Sequence, residues 1–399
     1  MNASFFLVTL LFPGYFFFHI FHAVGLLPYV PWLSLSMMVI VIFFSYTAVW
    51  AAIQKKINFE RCSVLIGALV LFCAASMFSV TLLNHVFNED KYVVETGITW
   101  SLAVILGLIS MFFLGVLYRP VQSVGLGLIA LLLLFLMVVA SIILYDPLYR
   151  SVNLASYSAP WVDKGKFATY QGLAMSLLYF SLLIMPGFNN QLARLLVLVL
   201  CVFALYFVGA RTEMVLALLC LFFFFVFRIG FFKTLILASL AVVVIVFVVA
   251  FGVFTFEVSG RYVVGAEDAS FRERLVLLDS GINAILGSPV LGDYLGQVRD
   301  YSEQGAYIHN FLSVWQQYGL QAFLAYVFLC LISFYIALRD YSVIGDSPIL
   351  ELLFYLSMTS VVGVVFAKSV AWPMPALAWG VACSLASKRR LMDRSWRDV

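Results

Sequence analysis

The sequence predicts an all-α polytopic membrane protein with about 12 transmembrane helices. Hydrophobic residues make up 64% of the 399 residues and charged residues only 11%, whereas about 25% of the residues in a typical soluble domain are charged. The mean hydropathy is +1.06. The apolar residues also come in runs of about 20, which is the length that a helix needs to cross a bilayer. A lipid bilayer is therefore the expected environment of the chain.

These runs define the spans in chain order. They lie near 4–23, 32–53, 62–84, 98–118, 122–144, 171–188, 191–209, 212–228, 231–254, 309–337, 348–367 and 370–386. The first run lacks the basic residues that begin a signal peptide, and it contains Pro13, Gly14, His19 and His22. We interpret it as a retained span. The whole chain, 1–399, is predicted to form one membrane domain.

The distribution of lysine and arginine predicts the orientation in the membrane. With the N-terminus in the cytoplasm, most basic residues fall in cytoplasmic loops or in the C-terminal tail: Lys55, Lys56, Arg61, Arg119, Arg194, Arg228, Lys233, Arg339, Lys388, Arg389, Arg390, Arg394 and Arg397. The short outer loops hold Lys91, Arg211 and Lys368. This asymmetry follows the positive-inside rule, and an even number of spans places both termini in the cytoplasm.

Two longer connections fall on the outer face: a smaller loop at 145–170, and a large loop at 255–308 between spans 9 and 10. The stretch FRERLVLLDSGINAIL in the large loop has apolar residues at the helical period, namely Phe271, Leu275, Leu278, Ile282 and Ile285. Asp268 or Ser270 can cap its start, and Gly287 and Pro289 mark its end. The large loop is therefore predicted to contain an amphipathic helix that lies on the membrane surface.

Arginines on the outer side are candidate ligands for phosphate groups. Arg211 stands in a tight turn between two apolar runs, where an unpaired charge costs several kcal/mol. Arg272 and Arg274 lie about 200° apart on the predicted helix, and Arg261 belongs to the same loop. A guanidinium group binds phosphate oxygens through paired hydrogen bonds. The alternative is an interfacial arginine that extends to the headgroups or pairs with a nearby carboxylate.

His309 is the candidate general base. It opens the tenth span in YIHNFLSVWQQYG, beside Asn310 and close to Tyr307, whose ring suits stacking on a sugar. Imidazole titrates near neutral pH and is the commonest base for activating a hydroxyl. The sequence contains no glycine-rich phosphate loop, no HExxH and no zinc-type cysteine pair. The six scattered cysteines predict neither a disulfide nor a metal site, so we expect chemistry without a metal ion or other cofactor.

Three short motifs resemble those of the O-antigen polymerase and O-antigen ligase family of bacterial envelope enzymes. The matching residues are Arg211 in GARTEMVLAL, Arg274 with Pro289 and Gly292 in RLVLLDSGINAILGSPVLGDYLG, and His309 with Asn310 and Gly319 in HNFLSVWQQYG. The motifs lie between 209 and 320, in this order and on the same predicted face of the membrane. The first half of the chain contains no motif of this kind.

The resemblance implies metal-independent, inverting glycosyl transfer on the periplasmic face of the bacterial inner membrane. The donor would be an oligosaccharide linked to undecaprenyl pyrophosphate, and a chain-length regulator would be a further candidate partner; nucleic acid has no role. Arg211 and Arg274 would bind the pyrophosphate, and His309 would deprotonate the acceptor hydroxyl. Further substrate-binding residues would be Arg272, Asn310, Arg261 and Tyr307. Arg274 keeps a better spacing to Pro289 than Arg272 does.

The alternatives differ in acceptor or in class. A polymerase transfers glycan to a lipid-linked repeat unit, whereas a ligase transfers it to lipid A core; the eight residues between Asn310 and Gly319 are more similar to the polymerase pattern. A polysaccharide or lipid transporter (a flippase) would also suit twelve spans, but Glu351 and Lys368 are poor substitutes for the mid-membrane ionisable residues of transporters. A non-catalytic scaffold would keep the arginines and would not need His309 as a base.

Overall fold

A computed structural model describes residues 3–30, 33–54, 61–87, 90–120, 123–163, 168–250, 269–301, 305–339, 344 and 347–395. Its helices are α1 (Ala3–Thr9), α2 (Tyr15–Ala23), α3 (Leu33–Gln54), α4 (Arg61–Phe87), α5 (Lys91–Leu117), α6 (Val124–Ile143), α7 (Tyr170–Ile184), α8 (Gln191–Val208), α9 (Arg211–Ile229), α10 (Phe231–Ala250), α11 (Ala269–Gly287), α12 (Gly296–Tyr301), α13 (Leu312–Arg339), α14 (Pro348–Phe366) and α15 (Met374–Ser395). A two-residue strand, β1 (Tyr145–Asp146), pairs antiparallel with β2 (Ser151–Val152). Short 3-10 helices lie at Leu154–Tyr157 and Met185–Gly187.

Nine helical segments of the described residues are long and apolar enough to cross a membrane. They are Ser4–Ala23, Arg61–Phe87, Lys91–Leu117, Val124–Ile143, Tyr170–Gly187, Gln191–Val208, Arg211–Ile229, Leu312–Arg339 and Pro348–Phe366. Shorter apolar stretches lie at Leu35–Phe44, Phe231–Ala241 and Met374–Ala386. The predicted class is confirmed, because the chain is a multi-pass α-helical membrane protein. The number of twelve spans stays a prediction.

The first span contains a local break at its proline. Leu10–Gly14, with Pro13 inside it, forms a π-helical turn between α1 and α2. Proline lacks an N–H group and its ring clashes with the preceding turn of an α-helix, and a wider turn is one way to accommodate it. The run 4–23 is thus helical along its described length.

Helix α5 begins earlier than the sequence predicted. We expected this span to start near 98, whereas α5 starts at Lys91. The carboxylate of Asp90 accepts hydrogen bonds from the backbone N–H groups of Tyr92 (2.9 Å) and Val93 (3.3 Å), which satisfies donors that the first turn leaves open. Lys91 and Glu95 also form an ion pair one turn apart (3.7 Å). Local capping therefore extends the helix beyond its apolar run.

The predicted amphipathic helix is present as α11. It ends at Gly287, as the sequence predicted, but it begins at Ala269, so Ser270 lies within the helix rather than at its cap. Asp268, the other predicted cap, lies outside the described residues. Leu275 and Ile282 of the predicted apolar stripe are exposed, whereas Ile285 is buried. The contact of this stripe with a membrane surface stays a prediction.

The chain divides into two compact units. The first comprises Met1–Pro31, Arg119–Gly265 and Tyr341–Tyr355, and the second comprises Trp32–Tyr118, Ala266–Asp340 and Leu356–Val399. Arg211 belongs to the first unit, whereas Arg274 and His309 belong to the second.

Close packing of α5 against α15 organises the second unit. A Cβ atom at Gly115 would lie 2.4 Å from the carbonyl oxygen of Leu377, and one at Gly380 would lie 2.0 Å from that of Phe112. Small residues at such crossings let helix backbones approach closely, as is common between membrane helices. This contact holds the first two turns of α15 against α5.

Candidate functional site

Arg211 occupies the tight turn that the sequence predicted. Helix α8 ends at Gly209, which adopts a left-handed conformation (φ 77°), and Arg211 is the first residue of α9. A Cβ atom at Gly209 would lie 2.6 Å from the Cβ of Ser151 and 2.9 Å from the carbonyl oxygen of Arg150. The turn therefore requires glycine for its conformation and for the approach of β2. Arg211 is half-buried, and Glu213 in the same helical turn is buried.

The smaller predicted outer loop folds beside this turn. The ring of Tyr145 meets that of Phe207 edge-on at 5.6 Å between centroids. The hydroxyl of Ser156 donates to the Asp146 carboxylate at 2.5 Å, and this bond lowers the pKa of Asp146 below its usual value. The described part of 145–170 is therefore an ordered hairpin at the Arg211 end of the first unit. A role in holding glycan stays a prediction for this segment.

His309 stands just before α13 in the second unit and is half-buried. Its ring stacks on that of Tyr307, with the centroids 5.6 Å apart and the planes 21° from parallel. The side-chain oxygen of Asn310 accepts a hydrogen bond from the backbone N–H of Leu312 at 2.9 Å. Asn310 therefore caps α13, and this gives the residue beside the candidate base a definite structural part. Its predicted contact with substrate is a separate matter and stays a prediction.

Two of the sequence motifs interlock at a break in α13. Gly319 has φ 76° and ψ −179°, which no helical residue adopts, and a Cβ atom there would lie 2.1 Å from the carbonyl oxygen of Val290. Gly292 also has φ 76°, and a Cβ on it would lie 2.7 Å from the nitrogen of Gly319. The indole N–H of Trp315 donates to the carbonyl of Pro289 at 2.7 Å. The Pro-x-x-Gly element thus docks on the segment that carries His309.

One face of α11 packs on the same segment. Gly281 is buried, and a Cβ atom there would lie 2.2 Å from the side chain of Ile308. Arg274 precedes Gly281 by seven residues, which places both on one face of the helix, about 10 Å apart along its axis. Arg272 lies about 200° away from Arg274 around the helix. Of the two candidate arginines, Arg274 therefore shares the face that packs on the His309 segment.

The electrostatic surroundings lower the pKa of His309 below its usual value. Partial burial is the largest cause, and the positive charge of Arg274 is the next. A hydrogen bond to the backbone of Gly305 and the charge of Glu273 raise the pKa, whereas Lys368 lowers it further. Because the net shift is downward, the imidazole is neutral at pH 7, which is the state that a general base requires.

An aromatic group that sequence reasoning missed adjoins Tyr307. The ring of Trp100, on α5, lies 5.8 Å from the ring of Tyr307 and 6.0 Å, nearly parallel, from that of Tyr318. The neighbouring Ser101 hydroxyl is 3.1 Å from the hydroxyl of Tyr318 and 2.5 Å from that of Tyr294. Helix α5 therefore supports the site from the first half of the chain. The sequence contains only a weak indication that Trp100 belongs to the site, because tryptophan near the end of a span is common at membrane interfaces.

A buried group of charges lies in the first unit, at helix ends away from Arg211. The carboxylate of Glu351 has no exposed surface, and it accepts from Arg194 at 3.1 Å and from Arg228 at 3.0 Å. The hydroxyl of Tyr355 donates to it at 2.8 Å. The sequence assigned Arg194 and Arg228 to the cytoplasmic side, near the ends of the predicted spans 191–209 and 212–228, and both lie within helices. The three charges join α8, α9 and the start of α14.

The structure therefore brings together some predicted site residues and separates others. Arg274, Tyr307, His309 and Asn310 belong to one neighbourhood of the second unit, Arg211 lies in the first unit, and Arg261 lies outside the described residues. Among the residues that the structure describes, no group of three or more His, Cys, Asp or Glu side chains is placed to hold a metal ion.

Fold and site together define a multi-pass α-helical membrane protein with a neutral histidine among cationic and aromatic side chains. No protein-family model matches the chain, and neither a curated protein nor a solved structure gives a match. The resemblance to the O-antigen enzymes thus rests on the three short sequence motifs alone.

Proposed function

We propose that this protein is a polymerase of O-antigen or a related surface polysaccharide. It transfers a glycan from undecaprenyl pyrophosphate to a lipid-linked repeat unit on the periplasmic face of the bacterial inner membrane. In this proposal twelve spans cross the membrane and both termini are cytoplasmic. The segment 255–308 is then the large periplasmic loop, and α11 lies on the membrane surface with Leu275 and Ile282 toward lipid.

The juxtaposition of Arg274 and His309 carries the proposal. The two residues come from separate motifs, and the packing of Gly281 on Ile308 holds their elements together. The charge of Arg274 acts on the imidazole, so a phosphate group bound by Arg274 would lie near the base. A scaffold that only binds lipid phosphates would not need a neutral imidazole beside its arginine.

The proposed reaction uses one base and cationic stabilisation of the leaving group. His309 accepts the proton of the acceptor hydroxyl while that oxygen forms a bond to the anomeric carbon of the donor. The bond from this carbon to the pyrophosphate oxygen breaks, and undecaprenyl pyrophosphate leaves with the electron pair. Arg274 stabilises the negative charge that develops on the leaving group; the same role for Arg211, which belongs to the first unit, stays a prediction from its motif. Attack from the face opposite the leaving group inverts the configuration.

Deletion of the protein in its own strain tests the function, because the lipopolysaccharide pattern reports which step is lost. Loss of a polymerase is expected to leave lipid A core that carries a single repeat unit. The wild-type protein should restore the ladder on a gel, and His309→Ala should not. Tyr92→Phe, at an exposed position on α5, is a matched control that should restore it.

Two other lipopolysaccharide patterns in the deletion strain would contradict the proposal that the protein is a polymerase. Bare lipid A core with long polymer retained on undecaprenyl pyrophosphate would identify a ligase. Bare core with single lipid-linked repeat units held on the cytoplasmic face would identify a flippase and would exclude the enzyme.

The pH dependence of transfer should respond in opposite directions to two neighbours on α11. Activity requires neutral His309 and is lost as pH falls through its pKa, which lies below 6.5. Arg274→Gln removes a charge that lowers this pKa, so the acid limb of the pH–rate profile, where activity falls with pH, should move to higher pH. Glu273→Gln removes a charge that raises it, so the limb should move to lower pH. The measurement is the rate of transfer over a pH series for each variant.

Arg272→Gln is the matched control for these shifts, because Arg272 lies on the other side of α11. Its acid limb should stay where that of the wild type lies, whatever the change in rate. Identical acid limbs for Arg274→Gln and Glu273→Gln would show that the limb does not report His309.

A further inference from the structure

The turn between α14 and α15 is tied to the segment that carries His309. Three hydrogen bonds join them: from the Phe311 N–H to the Val364 carbonyl (2.7 Å), from the Val370 N–H to the Ser313 hydroxyl (2.8 Å), and between the hydroxyls of Tyr307 and Ser369 (3.1 Å). These bonds lie on both sides of Lys368 in the sequence. The backbone of Lys368 is therefore fixed with respect to the candidate base.

The side chain of Lys368 is also held. It is half-buried, and its ammonium group lies 5.8 Å from the ring centroid of Trp372, within the range of a cation–π interaction. Its backbone N–H donates to the carbonyl of Gly363 at 2.8 Å, which closes the end of α14. The positive charge reaches the imidazole of His309 from an element different from the one that carries Arg274.

Two cations beside a general base lower its affinity for a proton. They disfavour the positively charged imidazolium that forms when the base accepts the proton. Among the described residues whose charges act on His309, Glu273 is the carboxylate and Arg274 and Lys368 are the cations. The positive excess is understandable if the substrate brings a negative group to this place. A bound anion would then offset the two cations and allow the histidine to take a proton.

We propose that Lys368 binds the anionic part of the lipid-linked donor together with Arg274, as a further cationic ligand of its pyrophosphate. The proposal rests on the proposed function and assigns one more ligand to the same site. The division of work suits the two side chains, since arginine offers a planar fork for two oxygens and lysine a compact charge with three rotating donors. Both would also stabilise the leaving group as charge develops on it.

Direct binding of farnesyl pyrophosphate to the purified full-length protein tests this assignment. Farnesol serves as the uncharged probe, and about pH 8 keeps His309 neutral. Lys368→Gln should weaken binding of farnesyl pyrophosphate by about 10–100-fold, because a charged hydrogen bond is lost, and should leave binding of farnesol unchanged. Lys368→Arg, which keeps the charge, should retain most of the affinity. Lys91→Gln is the matched control, since Lys91 is 88% exposed and is paired with Glu95.

The outcomes separate this inference from the function itself. If wild type and Lys368→Gln bind farnesyl pyrophosphate equally, Lys368 is not a ligand and the proposed function stands. The same conclusion follows if Lys368→Gln only moves the acid limb of transfer to higher pH, because the lysine then acts on the base alone. If the wild type binds farnesyl pyrophosphate no better than farnesol, the inference and the proposed function both fail. Should Lys368→Gln elute as an aggregate, Lys368→Met, which keeps the apolar stem and removes the charge, takes its place, and binding of farnesyl pyrophosphate equal to that of the wild type would overturn the assignment.

Discussion

Replacement of His309 by alanine is expected to lower the rate of glycosyl transfer by about 10²–10⁴-fold, the usual contribution of a general base. The imidazole is neutral and half-buried, and it stacks on Tyr307, so it is held in the state and place in which it can accept a proton. Alanine removes the acceptor of that proton but leaves the cations that would hold the donor. The measurement is single-turnover transfer in proteoliposomes, alongside donor affinity in the same preparation.

Donor affinity distinguishes a base from a ligand. In His309→Ala the affinity for the pyrophosphate donor should stay close to that of the wild type at neutral pH, and should fall slightly below it at acidic pH because the imidazolium that would attract the anionic donor is gone. His85→Ala, at an exposed position in the last turn of α4, is the matched control and should retain the full rate. A variant His309→Ala that turns over at the wild-type rate would remove the base from the mechanism. One that loses donor affinity at an unchanged maximal rate would make His309 a binding residue.

The helical architecture could be predicted from the sequence because its causes are local. Runs of apolar residues as long as a bilayer predicted the helices, and the period of FRERLVLLDSGINAIL predicted α11. The two apolar runs that flank Arg211 predicted the tight turn, and Gly209 ends α8 there in a left-handed conformation, as is common for glycine at helix ends. Where the prediction was wrong, at the start of α5, the missing cause was also local: the cap made by Asp90.

The arrangement of the site could be predicted only in part, because it depends on contacts between distant elements. Helical periodicity showed that Arg272 and Arg274 point to different sides of α11, but not which side packs on the protein. The burial of Gly281 against Ile308 decides this in favour of Arg274. Trp100 and Lys368 reach the neighbourhood of His309 from other helices, and no short pattern in the sequence connects them with it.

The buried charges of the first unit illustrate the same limit. Arg194, Arg228 and Glu351 stand near the ends of apolar runs, where an isolated charge is ordinarily interpreted as part of a loop. When its own helix is considered alone, each of these three residues is consistent with a position in a loop. Their burial arises because three helix ends meet, which the individual segments do not reveal.

Replacement of Glu351 by glutamine is expected to lower the free energy of unfolding by about 3–5 kcal/mol, the usual cost when one partner of a buried ion pair is removed. Glutamine has nearly the same shape, so the change tests charge rather than packing. Arg194 is only 5% exposed and would keep a buried charge without its carboxylate. Arg228 is 16% exposed and also donates to Gln191 (2.7 Å) and to the Phe224 carbonyl (2.8 Å), so it should tolerate the loss better. The measurement is thermal unfolding of the purified protein in detergent.

A double-mutant cycle separates the lost ion pair from other effects of the substitution. Arg194→Met combined with Glu351→Gln removes both buried charges and keeps most of the apolar contact of the arginine stem. The double variant should therefore be more stable than Glu351→Gln alone, because no buried charge is left without a partner beside α8. Glu95→Gln, at an ion pair whose side chains are 88% and 68% exposed, is the control and should leave the melting temperature nearly unchanged, since exposed pairs contribute little. If Glu351→Gln unfolds at the wild-type temperature, the carboxylate does not hold α8, α9 and the start of α14 together.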